Sequence, residues 1–270
     1  MSNVYQKQLT GKGISPFFIN FIMYLGLSIL CIPFLTQINF TELSPQVWIN
    51  AILGGLCGAL GNSYLVKALE SGDLSVLGPI NAYKSVVAML FGIILLKEIP
   101  TILGIFAVFL IIFGSYFIFD TQEEGFSIKL LKRKDIRYRI YALIFTAIEA
   151  VFIKNVILQS DIMTSFLFWS FFGMVFTFGI VLLRKQASKC KERYVIKRYI
   201  LIICLMGLMQ YSTNFVFARM NVSYALALFQ LSTILSVFLG WKFFNETQIN
   251  KKLIGSIIMV IGGTLLILFN

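Results

Sequence analysis

Two ionisable side chains stand deep inside apolar runs of this sequence. Lys84 lies near the centre of residues 74–96 and Glu149 near the centre of 140–159. A charge at the middle of a hydrocarbon layer costs about 2.5 to 3.5 kcal/mol on insertion scales, against about 0.3 to 0.6 kcal/mol gained from each surrounding Leu, Ile, Phe or Val. The runs still insert, but both residues must turn towards the bundle interior, where they meet each other, water or a solute. Two chemistries are open. One is a permanent ion pair that fixes helix packing. In the other, Lys84 draws in an anionic group such as a carboxylate, while Glu149 binds an amine or exchanges a coupling proton. With no histidine in the chain, Glu149 is the buried group suited to carrying that proton.

Polar neighbours fall at helical spacing around these two. Gln210 and Asn214 are four apart, Asn81 and Lys84 three apart, and Thr146 and Glu149 three apart, so each pair shares a helix face. Asn62, Tyr83, Tyr211 and Gln230 add to a prospective polar lining. For the amides, interhelical hydrogen bonding competes with solute contact. The glycines of "GGLCGALGN" (54–62) lack the GK[ST] ending of a phosphate loop and sit in an apolar span. They suit close helix packing through Gly54, Gly55, Gly58 and Gly61. Cys31, Cys57, Cys190 and Cys204 form no CxxC pair, so neither a disulfide framework nor a metal cluster is expected. No cofactor is expected either, and no HExxH or Walker motif points to hydrolysis.

The elements that must position these residues follow from composition. The chain of 270 residues is 58% hydrophobic and 13% charged, with a mean hydropathy of +0.86. Globular domains stay near about 45 to 50% apolar, so the solvent is lipid. A crossing takes about 20 apolar residues as a helix. The sequence predicts nine: 16–36, 47–69, 74–96, 101–119, 140–159, 163–183, 199–219, 222–244 and 252–269. This is an all-α polytopic membrane protein with no room for a soluble domain. No cleaved signal peptide is expected at the start.

The net charge is +11, and its placement matters more than its size. Starting with the N-terminus in the cytoplasm, 19 of the 23 Lys and Arg fall on the inner side, most of them in the connectors 120–139 and 184–198. The positive-inside rule therefore places the N-terminus inside and, after nine crossings, the C-terminus outside. The location expected is a bacterial plasma membrane. The basic loops are expected against anionic lipid headgroups rather than nucleic acid, and "FSIKLLKRKDIRYRI" (126–140) suits a short interfacial helix.

An internal repeat runs through the chain at an offset of 148. Ser75 meets Ser223, Gly92 meets Gly240, Glu98 meets Glu246, Ala107 meets Gly255 and Gly114 meets Gly262. A unit of five helices is odd, so the second copy enters from the opposite face. The repeats are inverted, an arrangement common in secondary transporters. Glu98 and Glu246 close long apolar runs just before the next helix. The reading is a hydrated interfacial acid that complements the positive start of the following helix, with Glu98 facing outward and Glu246 inward. At the beginning, "VYQK" (4–7) resembles "VFIK" (151–154), while 140–147 has no counterpart before Met1. The expectation is a first half lacking most of its first helix, four plus five derived from five plus five.

"GPINAYKSVVAMLFGIILLKE" (78–98) and "ALALFQLSTILSVFLGWKFFNE" (225–246), each followed by a helix of small residues, resemble the drug/metabolite transporter superfamily and specifically EamA-like permeases. The resemblance implies two inverted five-helix repeats, here 1–119 (truncated) and 140–270, joined by the basic connector 120–139. Where the family often has glycine before its two glutamates, this chain has Lys97 and Asn245. The leading reading is a carrier that moves a small organic metabolite by alternating access, and the buried charges with their polar neighbours give the expected solute-contacting residues: Lys84, Glu149, Asn81, Gln210, Asn214, Tyr83, Gln230 and Asn62. Its expected partners are the solute, membrane lipids and a coupling proton, and a homodimer is compatible with the sequence. The alternatives are a non-transporting scaffold or degenerate carrier and, with less to support it, a membrane-embedded enzyme.

Overall fold

Among the described residues every regular element is a helix. The computed structural model describes residues 1–84, 86–87, 101–122, 128–185, 193–219 and 222–268. Ser2–Thr10 forms α1. Pro16–Cys31 forms α2, opening on a proline whose missing N–H would have had no partner in a first turn. A 3-10 segment, Ile32–Gln37, extends it. Pro45–Ser71 is α3 and Leu74–Leu77 the single turn α4, followed by a 3-10 turn at Pro79–Ala82. Then come Ile102–Phe119 (α5), Ile128–Lys132 (α6), Lys134–Gln159 (α7) and Ile162–Leu183 (α8). Arg193–Arg219 (α9), Val222–Phe244 (α10) and Ile249–Leu268 (α11) complete the order.

Against nine expected crossings, six stretches among the described residues are long and apolar enough to span a membrane: Pro16–Gln37, Pro45–Ser71, Ile102–Phe119, Lys134–Gln159, Ile162–Leu183 and Val195–Arg219. Leu231–Phe244 is a shorter apolar helix. Two helices begin well ahead of their apolar runs, α7 at Lys134 rather than 140 and α9 at Arg193 rather than 199. Lys and Arg are good helix formers, so each helix continues through residues that hydropathy alone excludes.

The run 74–96 is not one continuous helix. Pro79 has no N–H to return to the carbonyl four residues back, and its ring crowds that carbonyl. The helix therefore stops after Leu77. Asn81 N–H turns to Gly78 O at 3.0 Å, three residues back, and helix resumes at Tyr83 and Lys84. Gly92 and Glu98 of the repeat, and Lys97 before Glu98, lie outside the described residues.

The chain forms two compact units, each drawn from two separate segments. Unit 1 holds 1–70 and 148–222. In it α2 packs on α8, and α9 packs on α1, α2 and α8. Bare glycines bring these helices close: a Cβ on Gly55 would lie 2.3 Å from Phe172 Cβ, and one on Gly173 would lie 2.4 Å from the Tyr24 ring. Unit 2 holds 71–147 and 223–270. Its spine is α5 against α11, where a Cβ on Gly114 would stand 2.7 Å from Gly255 O and one on Gly262 would stand 2.8 Å from Ala107 O.

Candidate functional site

In unit 1 four helices converge on the carboxylate of Glu149. The residue is 7% exposed, and its Oε1 accepts the indole N–H of Trp169 at 2.5 Å. Trp169 is set by the start of α8. Asp161 caps that helix, its Oδ1 accepting from Met163 N at 2.7 Å and from Thr164 N at 3.0 Å, which fixes the helix two turns ahead of the indole. From α3, Gly58 supplies the space. A Cβ there would sit 2.4 Å from Glu149 Oε1 and 3.0 Å from Trp169 Nε1. From α2, the Tyr24 ring meets Trp169 edge-on with centroids 4.9 Å apart, and its hydroxyl accepts from Asn62 Nδ2 at 2.8 Å. One turn along α2 and one residue on in α3, Asn20 Nδ2 donates to Ser63 Oγ at 3.2 Å. The result is a carboxylate held by an indole, flanked by a phenol and an amide, inside a membrane-spanning helix group.

Other expected residues fall nearby in the same unit or elsewhere. Gln210 Nε2 donates to Asn214 Oδ1 at 3.0 Å, both residues being buried. Among the described residues Asn214 Nδ2 is buried without a hydrogen-bond partner. Tyr211 is exposed, with its ring edge on Phe166. Thr146 belongs to unit 2 and spends its hydroxyl on Ala142 O of its own helix. Asn81, Tyr83 and Lys84 also belong to unit 2. There Asn81 Oδ1 accepts from Arg139, Tyr83 OH meets Ser115 Oγ at 2.7 Å, and Lys84 is half-buried. Gln230 is helical, and its side chain lies outside what is described.

The sequence reading of Glu246 needs correction. It is not a hydrated interfacial acid serving the next helix, for it is 8% exposed. Its two oxygens accept from Leu74 N and Ser75 N, each at 2.8 Å. Beside it Lys252, 2% exposed, donates to Ser75 Oγ at 2.9 Å and stands 4.0 Å from Asp73. Gly240 makes this fit, because a Cβ would lie 2.4 Å from Glu246 Oε2. Asn245 has a φ of +52°, a left-handed conformation that Gly adopts freely and Asn tolerates. That is the physical reason a glycine suits the position. Buried Lys252 and Arg139 escaped the sequence reading because each lies at the edge of an apolar run rather than in its middle.

The family model of the EamA-like transporters matches residues 1–120 and 136–269. The chain belongs to the EamA-like transporter family. Among the relatives of this EamA chain, a protein named "Putative sugar uptake protein" from Streptococcus pyogenes serotype M6 is 25% identical over 244 residues, covering 83% of this chain and 80% of the relative. Proteins with the same descriptive name from serotypes M1 and M3 match with the same identity and coverage. Family and relatives together mark the EamA chain as a multi-pass membrane transporter rather than an enzyme. A transporter of this kind binds a small molecule and sits in lipid.

Proposed function

We propose that the chain is a secondary carrier that moves a small organic metabolite across a bacterial plasma membrane by alternating access, and that this solute is polyhydroxylated. The observation that carries the reading is the buried Glu149 carboxylate, held by the Trp169 indole where four helices meet in a chain of a transporter family. The names of the relatives point to sugars, and the chemistry agrees. A carboxylate accepts bonds from hydroxyls, the amides of Asn62, Gln210 and Asn214 both donate and accept, and indole and phenol rings pack against C–H faces. Glu149 in this reading also takes up and releases the coupling proton. Asn81, Tyr83, Lys84 and Gln230 enter as a separate solute-contacting group.

Inverted repeats at 1–119 and 140–270, linked by 120–139, belong to the same proposal. The offset of 148 makes Ala107 equivalent to Gly255 and Gly114 equivalent to Gly262. Gly114 approaches Gly255, and Gly262 approaches Ala107, so each residue meets the other's equivalent. Reciprocal contact of this kind is what twofold-related surfaces make, and it supports the reading.

The test is uptake of labelled glucose into proteoliposomes with and without an imposed proton gradient. Saturable, gradient-dependent uptake is expected, lost in Glu149→Gln and in Lys84→Ala while both variants still insert. Unchanged uptake in both variants would rule the carrier site out.

A further inference from the structure

We propose that unit 2 holds an oxyanion site, built on Arg139 with Asn81, that takes a phosphate ester at the basic end of α7. Arg139 is 6% exposed. Its Nε donates to Leu77 O at 2.7 Å, the carbonyl freed by the helix break at Pro79, and its Nη2 donates to Asn81 Oδ1 at 3.0 Å. Both acceptors are neutral. Among the described residues no carboxylate forms an ion pair with this guanidinium. Asp135, one turn earlier on the same face, is gripped instead by Arg133 through both oxygens, at 3.2 and 2.8 Å.

A guanidinium has more N–H groups than these two bonds use. Among the described residues no acceptor is recorded for Nη1 or for the second N–H of Nη2. A buried cation with only neutral partners is stabilised by an added anion. The position strengthens the need, because Arg139 lies in the second turn of α7, where the positive end of the helix dipole opposes a cation.

The guanidinium fork matches both carboxylate and phosphate. Position favours phosphate: Arg139 is five residues into α7, about 8 Å from its start, at the basic end of a membrane-span candidate, and clustered basic residues at the end of a span attract lipid phosphates. The ester is either a lipid headgroup or a free phosphorylated solute. The proposal does not rest on transport, since binding is measured without any gradient.

The full chain is reconstituted in nanodiscs of phosphatidylcholine with and without phosphatidylglycerol, and retained phosphatidylglycerol is counted by native mass spectrometry. In parallel, glucose 6-phosphate is titrated against phosphatidylcholine nanodiscs by thermal shift. At least one phosphate source is expected to bind about tenfold more weakly to Arg139→Gln than to wild type. Asn81→Asp should lose binding equally, because its new carboxylate occupies the guanidinium in place of the ester. Arg137→Gln should bind as wild type, since that exposed side chain donates to the Tyr141 hydroxyl on its own helix. A response in the lipid arm identifies a headgroup site, and one in the solute arm a phosphorylated ligand. Should Arg139→Gln fail to fold, Asn81→Asp decides, as it keeps the cation partnered. If neither source binds Asn81→Asp more weakly than Arg137→Gln, the site does not exist.

Discussion

Glu246 shows how much one carboxylate can do once it leaves water. By accepting from Leu74 N and Ser75 N it replaces the partners that the first N–H groups after a chain turn would otherwise lack. Removing it leaves buried donors unpaired, which costs about 1 to 3 kcal/mol for such a group. Glu246→Ala is expected to lower stability by about 2 kcal/mol, read as the midpoint of thermal unfolding in detergent, and a midpoint equal to wild type would refute this account. The sequence showed that an acid stands there and that Gly240 recurs with it. It did not show the destination, because the two amides lie 172 and 171 residues away and no local pattern carries that distance. Asn245 was readable as a turn, and its φ of +52° supplies the reason. Glu149 was legible as a buried charge from its place in the run, whereas its indole partner was one of many aromatics and had no distinguishing signal.

Single helices were read well where apolar length alone sets them. Pro45–Ser71, Ile102–Phe119 and Ile162–Leu183 fall within two residues of expectation at each end. Errors arose where a different force decides. Basic residues extended α7 and α9 beyond their apolar runs, and Pro79 cut the run at 74–96 despite its unbroken hydropathy. Capping contributes at this level too. Asp161 orders the start of α8 and through it the approach of Trp169 to Glu149. Asp161→Ala should cost about 1 kcal/mol and lower uptake. Asp161→Asn, which retains an acceptor, should remain near wild type in both. Equal behaviour of the two variants would mean that the cap does not position the indole.

At the level of the molecule, the two stretches matched by the family model do not coincide with the two compact units. Unit 1 joins 1–70 to 148–222, on either side of the 120–139 connector, while unit 2 joins 71–147, which contains that connector, to 223–270. Hydrophobic periodicity shows which residues span a membrane, but not which spans pack together, so this interleaving was invisible in the sequence. It has an experimental signature. Residues 1–122 and 128–270 expressed as separate chains should each be degraded, because neither can complete a unit. Co-expressed, they should co-purify. Stable accumulation of either fragment alone would contradict the interleaved architecture. Within this arrangement α7 is uninterrupted from Lys134 to Gln159, and the division between units falls inside it, at Ala147 and Ile148. Glu149 and Arg139, ten residues apart, therefore belong to different units while sharing one unbroken run of helical hydrogen bonds.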